Sequence, residues 1–554
     1  MVSTEPTFGT SWAEMARRQA LVIDANPASR TMLTAMMREL GFGTVVQTSR
    51  AQDARRLIEH QRFDMVVCEY TFDNQPMTGQ DLMDDLRLAQ LLPLSTVVVM
   101  ISGEAGYAKV AEAAEAALDA YLIKPHTGQA LRDRVLQSFN RKATLADIIG
   151  CVERGAYEEA AGLCQRRCDT RGPNWLNAAR IGAELWLRAG RPQAAQALFE
   201  TIMTTRAVPW ARLGFARSQY QAGGMQQARR TLESLLNDEP RYADAYDVMG
   251  KVLLDQGEHV QALNSLRRAT ALTPGCVSRL LKFGLLAFYH GDPKEAADAL
   301  QRAAVLGQNS KVFDLQGLVL LGTLQFDRGD LRGLTQSLHA MSSAFEAQPQ
   351  SARLRRFEAT LSTLKLLLER KVAEAVALTH QALRELSEPN YEFEAACNLL
   401  SVLSRLHARE VRLDDIPETL TRLADRFTVS RTTCELLCRA AQGRPDFEPL
   451  IRARYTLICD QAEAAVSHTV AGEPGRAVTS LLDAAEQSLN GKLMDLAVHT
   501  LERHRHGIAH NDELSRRVQA LQDRYRSYGT QVKLQHKATR PAANPTIERV
   551  AHSC

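Results

Sequence analysis

The ten cysteines of this chain include no Cys-x-x-Cys pair. Cys164/Cys168 and Cys434/Cys438 stand four apart, which on a helix puts two side chains on one face. No nearby His or Cys pair completes either set at zinc-site spacing, so both read as small hydrophobes buried in helices. Thiols scattered in this way suit a reducing compartment. Aromatic residues are scarce at 6%, which fits Ala- and Leu-rich helices better than a large β-sandwich. An excess of one charge is also lacking. A net charge of +3 over 554 residues argues against a nucleic-acid partner. The N-terminus, MVSTEPTFGTSWAEMARRQ, has no apolar core of the kind a secretory leader carries. The most apolar stretch, Leu315 to Leu324, is too short to cross a bilayer. A cytoplasmic location with no membrane span is therefore expected. The C-terminal half contains no Gly-rich phosphate loop, no HExxH and no GxSxG, so no enzyme is expected there.

What is present exceeds one core. The composition, 45% hydrophobic and 24% charged, is that of ordinary globular domains, and the length calls for at least two. From Ala20 the pattern alternates. Leu21-Val22-Ile23 is a short apolar run ending at Asp24, and Pro27 to Leu40 reads as a helix capped by Asn26. Thr44-Val45-Val46, Met65 to Cys68, Val97 to Ile101 and Tyr121 to Ile123 read as four more strands. Helices are expected at Ala51–Glu59, Gln80–Leu88, Lys109–Ala117 and Gln129–Phe139. Apolar strands between helices imply a parallel sheet covered on both faces, a doubly wound (βα)5 α/β domain. Working residues of such sheets lie beyond the carboxyl ends of the strands. Asp24, Glu69, Ser102 and Lys124 all stand there.

The motifs IDANP at Asp24, FDMVVCE at Glu69, MISGEA at Ser102 and DAYLIKP at Tyr121 and Lys124 resemble the receiver domains of two-component response regulators, over roughly Ala20 to Phe139. The resemblance implies a flavodoxin-like fold and a phosphoryl-transfer site. In that family an aspartate ending the third strand takes the phosphoryl group. Two acids after the first strand join it in holding Mg²⁺, and a Ser or Thr and a Lys bind the phosphoryl oxygens. Two positions depart from this pattern. Ala25 stands where the second acid is expected, and Glu69 stands at the phosphoacceptor position. The extra methylene of Glu69 moves its carboxylate by about 1.5 Å, one C–C bond. Misplacements of about 1 Å cost on the order of 100-fold in rate. The loop from Phe72 to Gly79 is two residues longer than the family's usual Met-Pro-x-x-Asp-Gly.

The expected domain is thus folded but not normally phosphorylated, with a residual Mg²⁺ pair of Asp24 and Glu69 and no other cofactor. Either Glu69 reaches toward Lys124 and Ser102 and holds a fixed negative charge, or Glu69 and Lys124 merely close the sheet edge. A third reading places a phosphoryl group on Asp73.

Beyond Arg141 no strand pattern recurs. Pro240 and Pro274 are 34 residues apart, and the segment between them resembles the tetratricopeptide repeat at Tyr246, Met249, Gly250, Leu253, Gly257, Ala262, Leu266, Ala269 and Pro274. The next unit carries Phe283, Gly284, Gly291, Ala296, Leu300 and Ala303, and the preceding one Trp210, Leu213, Gly214 and Ala228. Small residues let paired helices approach, and the resemblance implies an α-solenoid with a concave groove for a protein partner. The expected organisation is a receiver-like domain at 18–142, a repeat array at 143–342 (best repeats 208–308), degenerate helical repeats at 343–530, and a disordered basic tail at 531–554. The expected function is a protein-binding adaptor of two-component type with a degenerate site. Its partners would bind the groove and the receiver face, a sensor kinase among them. The alternative is a phosphorylation-competent regulator whose phosphorylation switches partner binding by the repeats.

Overall fold

The computed structural model describes residues 12–72, 77–103, 119–205, 208–307, 312–411, 413, 416–441, 444, 446–508 and 511–525. The expected helix at Lys109–Ala117, the loop residues Asp73 to Pro76 and the basic tail lie outside them. The chain divides into two compact units, with the main boundary between Asn140 and Arg141.

In the first unit five parallel strands form one sheet: β1 (Gln19–Ile23), β2 (Thr44–Thr48), β3 (Met65–Glu69), β4 (Val97–Ser102) and β5 (Ala120–Ile123), in the order β2-β1-β3-β4-β5. Leu21 faces Val46 on one side and Val66 on the other, and Val99 faces Val67 on one side and Ala120 on the other. The central strands are apolar throughout because both faces are covered. Val22, Met65, Val67, Val99 and Ile101 pack with Leu33 and Met37 of helix α1 (Pro27–Glu39) and Leu131 and Val135 of α4 (Gly128–Thr144). Helices α2 (Ala51–His60) and α3 (Gly79–Leu88) and a single turn at Trp12–Met15 complete the described set in this unit. Asn26 caps α1 by accepting from the N–H groups of Ala28 and Ser29, and Thr78 and Asp81 form a reciprocal capping box on α3. The strand order reverses between β1 and β3. A doubly wound sheet opens its crevice at such a reversal.

The second unit is helical throughout its described residues. Nine antiparallel hairpins follow one another there: α5/α6 (Ala146–Glu153, Tyr157–Asp169), α7/α8 (Trp175–Arg188, Pro192–Thr205), α9/α10 (Pro209–Gln221, Met225–Asp238), α11/α12 (Ala243–Asp255, His259–Leu272), α13/α14 (Val277–His290, Pro293–Gly307), α15/α16 (Gln316–Asp327, Leu331–Ala347), α17/α18 (Ala352–Leu368, Val372–Arg384), α22/α23 (Phe447–Val470, Pro474–Ser488) and α24/α25 (Gly491–Arg503, Asn511–Tyr525), with helices α19 (Phe393–His407), α20 (Ile416–Phe427) and α21 (Arg431–Ala440) between the seventh and eighth pairs. Eight of the turns between paired helices hold a left-handed residue. Gly155, Gly190, Gly223, Gly257, Gly291, Gly329 and Gly472 supply it in seven hairpins, and Arg370, at φ 63°, supplies it in the seventh pair. The hairpin pattern therefore continues past residue 340, where the sequence period fades, because Arg370 takes a backbone conformation usually left to glycine. The signature glycines act through contact. A Cβ on Gly214 would lie 2.2 Å from the Phe199 ring, and one on Gly284 2.7 Å from Leu300 Cγ.

The C-terminal hairpins also pack back on the middle ones. Tyr289 of α13 shares one core with Tyr391, Phe393, Phe427 and Phe447. Gln316 and Asn398, both buried, exchange two amide hydrogen bonds of 2.9 and 3.0 Å across 82 residues. Arg353 bridges Asp314 and Glu394 at 2.8 and 2.7 Å. Cys164, Cys168, Cys434 and Cys438 are buried within helices of this unit. Among the described residues no cluster of His, Cys, Asp and Glu could hold a metal ion, and no helix is long and apolar enough to cross a membrane.

Candidate functional site

The crevice at the β1/β3 reversal receives three charged groups. Asp24 follows β1 and is fully buried. Its Oδ1 accepts the N–H of Asn26 at 2.8 Å. Its Oδ2 accepts the Ser29 hydroxyl at 2.6 Å and the Lys124 ammonium at 3.1 Å. Glu69 closes β3, and its Oε1 accepts the same ammonium at 2.6 Å. Lys124 follows β5, held by its N–H donating to the carbonyl of Ser102 at the end of β4, 2.7 Å away, and its peptide bond to Pro125 is cis. The side chains of Lys124 and Glu69 keep 27% and 17% of their surface exposed, against none for Asp24. The carbonyl of Glu69 needs Gly79: a Cβ there would stand 2.0 Å from it, so the returning loop can close only over a glycine.

The electrostatics follow from two carboxylates around one ammonium. Burial pushes Asp24 up, but the Ser29 hydroxyl, Glu69 and Lys124 outweigh it and hold the carboxyl below its ordinary value. Burial pushes Glu69 above the usual carboxylate range, and the neighbouring Asp24 adds to this against the pull of Lys124. Burial draws Lys124 down, but its two carboxylates more than reverse this and its affinity for the proton is raised.

Asp24, Glu69 and Lys124, singled out from sequence, therefore meet in space. Ser102 is buried one strand over, and Tyr121 lies in β5 opposite Met100. Ala25 contributes its carbonyl, which with that of Asp24 accepts Nη1 of Arg30 at 3.3 and 2.7 Å. Sequence reasoning missed Ser29 and Arg30. The available signal was their place in the first turns of α1, where helical side chains point back toward the cap.

The receiver family holds Mg²⁺ in this crevice, and the residues here do not fit it. Mg²⁺ demands near-octahedral oxygen coordination. Ala25 offers no side-chain oxygen, both oxygens of Asp24 already accept donors, and an ammonium sits between the two carboxylates that remain.

The model of the response regulator receiver domain matches residues 20–136, and that of the tetratricopeptide repeat matches residues 187–252. The chemotaxis protein CheY of Pseudomonas aeruginosa is 30% identical over 122 residues, which are 22% of this chain and 95% of that protein. Among solved structures, the CheY-like receiver domain of Methylobacillus flagellatus is 26% identical, with a TM-score of 0.19, over 22% of this chain and 98% of that one. A thermophilic TPR protein of Thermus thermophilus is 26% identical, with a TM-score of 0.25, over 33% of this chain and 97% of that one. The chain belongs to the response-regulator receiver family through its first unit and carries tetratricopeptide repeats in its second.

Proposed function

We propose that this protein is an adaptor whose receiver domain is held in one state by its own side chains, while its repeats bind a protein partner. The observation that carries the reading is the Lys124 ammonium, 2.6 Å from Glu69 and 3.1 Å from Asp24. In a working receiver the lysine meets the phosphoryl oxygens. Here a carboxylate one methylene longer than aspartate meets it instead, at 2.6 Å. Phosphoryl transfer needs a positioned nucleophile and cations on the developing charge, and the nucleophile here is spent on the ion pair. The buried thiols of Cys68, Cys151, Cys397 and Cys434, outside any disulfide, support a cytoplasmic setting. The receiver face and the solenoid groove are the two surfaces offered to partners, a sensor kinase and a downstream protein among them. The boundaries 18–142, 143–342 and 343–530 belong to the same reading.

The test is incubation of the full chain with acetyl phosphate and Mg²⁺, followed by intact mass spectrometry. No added phosphoryl group is expected. A stable phosphoryl adduct on Glu69 would instead make the protein a phosphorylation-competent regulator.

A further inference from the structure

Restoring aspartate at positions 25 and 69 is the obvious way to revive this crevice, and the geometry opposes it. A metal ligand must free a lone pair and turn it toward the ion. Three donors already occupy the carboxylate of Asp24, two of them on Oδ2, and they fix its orientation. Its Oδ1 takes the Asn26 N–H, part of the turn that caps α1, at 2.8 Å. Its Oδ2 takes the Ser29 hydroxyl at 2.6 Å together with the Lys124 ammonium. Full burial removes water as a replacement donor, so turning the carboxylate toward a metal forfeits these bonds uncompensated.

Ser29 reaches Asp24 for a local reason. It stands three residues past the Asn26 cap, whose Oδ1 accepts the Ser29 N–H at 3.2 Å, and the side chain at that helical position points back over the cap. The next residue, Arg30, reaches the same turn. Its guanidinium holds the carbonyls of Asp24 and Ala25 at 2.7 and 3.3 Å and pins the backbone that would have to move.

We propose that Ser29 is the residue that closes this site to divalent cations and commits Asp24 to the Lys124 ammonium. The proposal rests on the closed-receiver reading above and adds a specificity determinant to it. Ser29 acts through Asp24, as a positioning residue. Putting aspartates at positions 25 and 69 then leaves a poor metal site until the Ser29 hydroxyl is removed.

The experiment titrates the full chain with Mn²⁺, reading free ion by electron paramagnetic resonance. Four proteins are compared: wild type, Ala25→Asp/Glu69→Asp, that double variant with Ser29→Ala, and the same double variant with Ser29→Thr. Removing one hydrogen bond to a buried charge is expected to tighten Mn²⁺ binding by about tenfold or more in the Ser29→Ala protein over the double variant. The Ser29→Thr protein keeps the hydroxyl and is expected to bind as weakly as the double variant. Equal affinity with and without Ser29→Ala overturns the proposal, whether both bind or neither does. So does a Ser29→Thr protein that matches Ser29→Ala, because a change in packing and not the hydroxyl would then be responsible. Tight Mn²⁺ binding by the wild type is a different result: it overturns the closed-receiver reading itself.

Discussion

Replacing Lys124 by methionine removes the cation that stands between Asp24 and Glu69 while keeping most of the length of the side chain. The wild-type ammonium donates to both carboxylates, at 3.1 and 2.6 Å. Without it two negative groups face each other in a crevice where Asp24 has no exposed surface. Breaking a buried ion pair by removing one partner costs about 3–5 kcal/mol. Partial exposure of Lys124 and Glu69 screens the pair, so the low end, about 3 kcal/mol, is expected here. That corresponds to about a hundredfold loss of protection in native-state hydrogen exchange, read on peptides covering β1 and β3. The double variant Lys124→Met/Glu69→Gln is expected to recover a large part of it, because it removes the charge left uncompensated. The pH dependence has a definite sign. A carboxyl whose folded value is raised contributes stability that is present at low pH and lost as pH rises through that folded value. Glu69 is such a group. The deficit of Lys124→Met is therefore largest at neutral pH and shrinks as pH falls and Glu69 takes up its proton. Additive effects of the two substitutions, or a deficit that grows toward acid, would refute the reasoning.

Three further expectations follow from other parts of the molecule. Asp81, buried at the start of α3 and crowded by Asp84 and Asp85, is pushed up to about 6 by burial above all, so Asp81→Asn should stabilise the first unit at pH 7 by about 1–3 kcal/mol and by nothing near pH 3.5, as hydrogen exchange at the two pH values would report. Gly284→Ala would press a methyl into Leu300, so a cost of about 1–3 kcal/mol in a urea melt is expected, and Leu300→Val alongside it should cost less than the sum of the two single changes. Asn398→Leu strands the Gln316 amide and should cost about 1–3 kcal/mol, with Gln316→Leu/Asn398→Leu closer to wild type in the same melt.

Some of this architecture was written locally. The alternation of apolar runs with capped helices in the first 140 residues leaves few other folds, because strand and helix periods, Asn26 as a cap and strand-end acids are all short-range signals. The repeats at 208–308 were legible for the same reason: a glycine at each turn and a small residue at each helix crossing recur every 34 residues or so. The strict period fades before Arg370, where an arginine in place of glycine takes the left-handed turn, and the degenerate helical pattern around it folds as a hairpin like the others.

Sequence alone determined the order of the elements, the family of the first unit and the two departures, Ala25 and Glu69. Only the tertiary structure decided what those departures mean. The Lys124 ammonium lies 100 residues from Asp24 and 55 from Glu69 along the chain, and their meeting depends on the sheet order placing β3 between β1 and β4. The contribution of Ser29 depends on where the end of β1 leaves the carboxylate relative to the first turn of α1. The return of the C-terminal hairpins onto Tyr289 and Gln316 depends on how helix pairs accumulate rotation. Periodicity records which face of an element is apolar, and distances between faces arise only when the elements are packed.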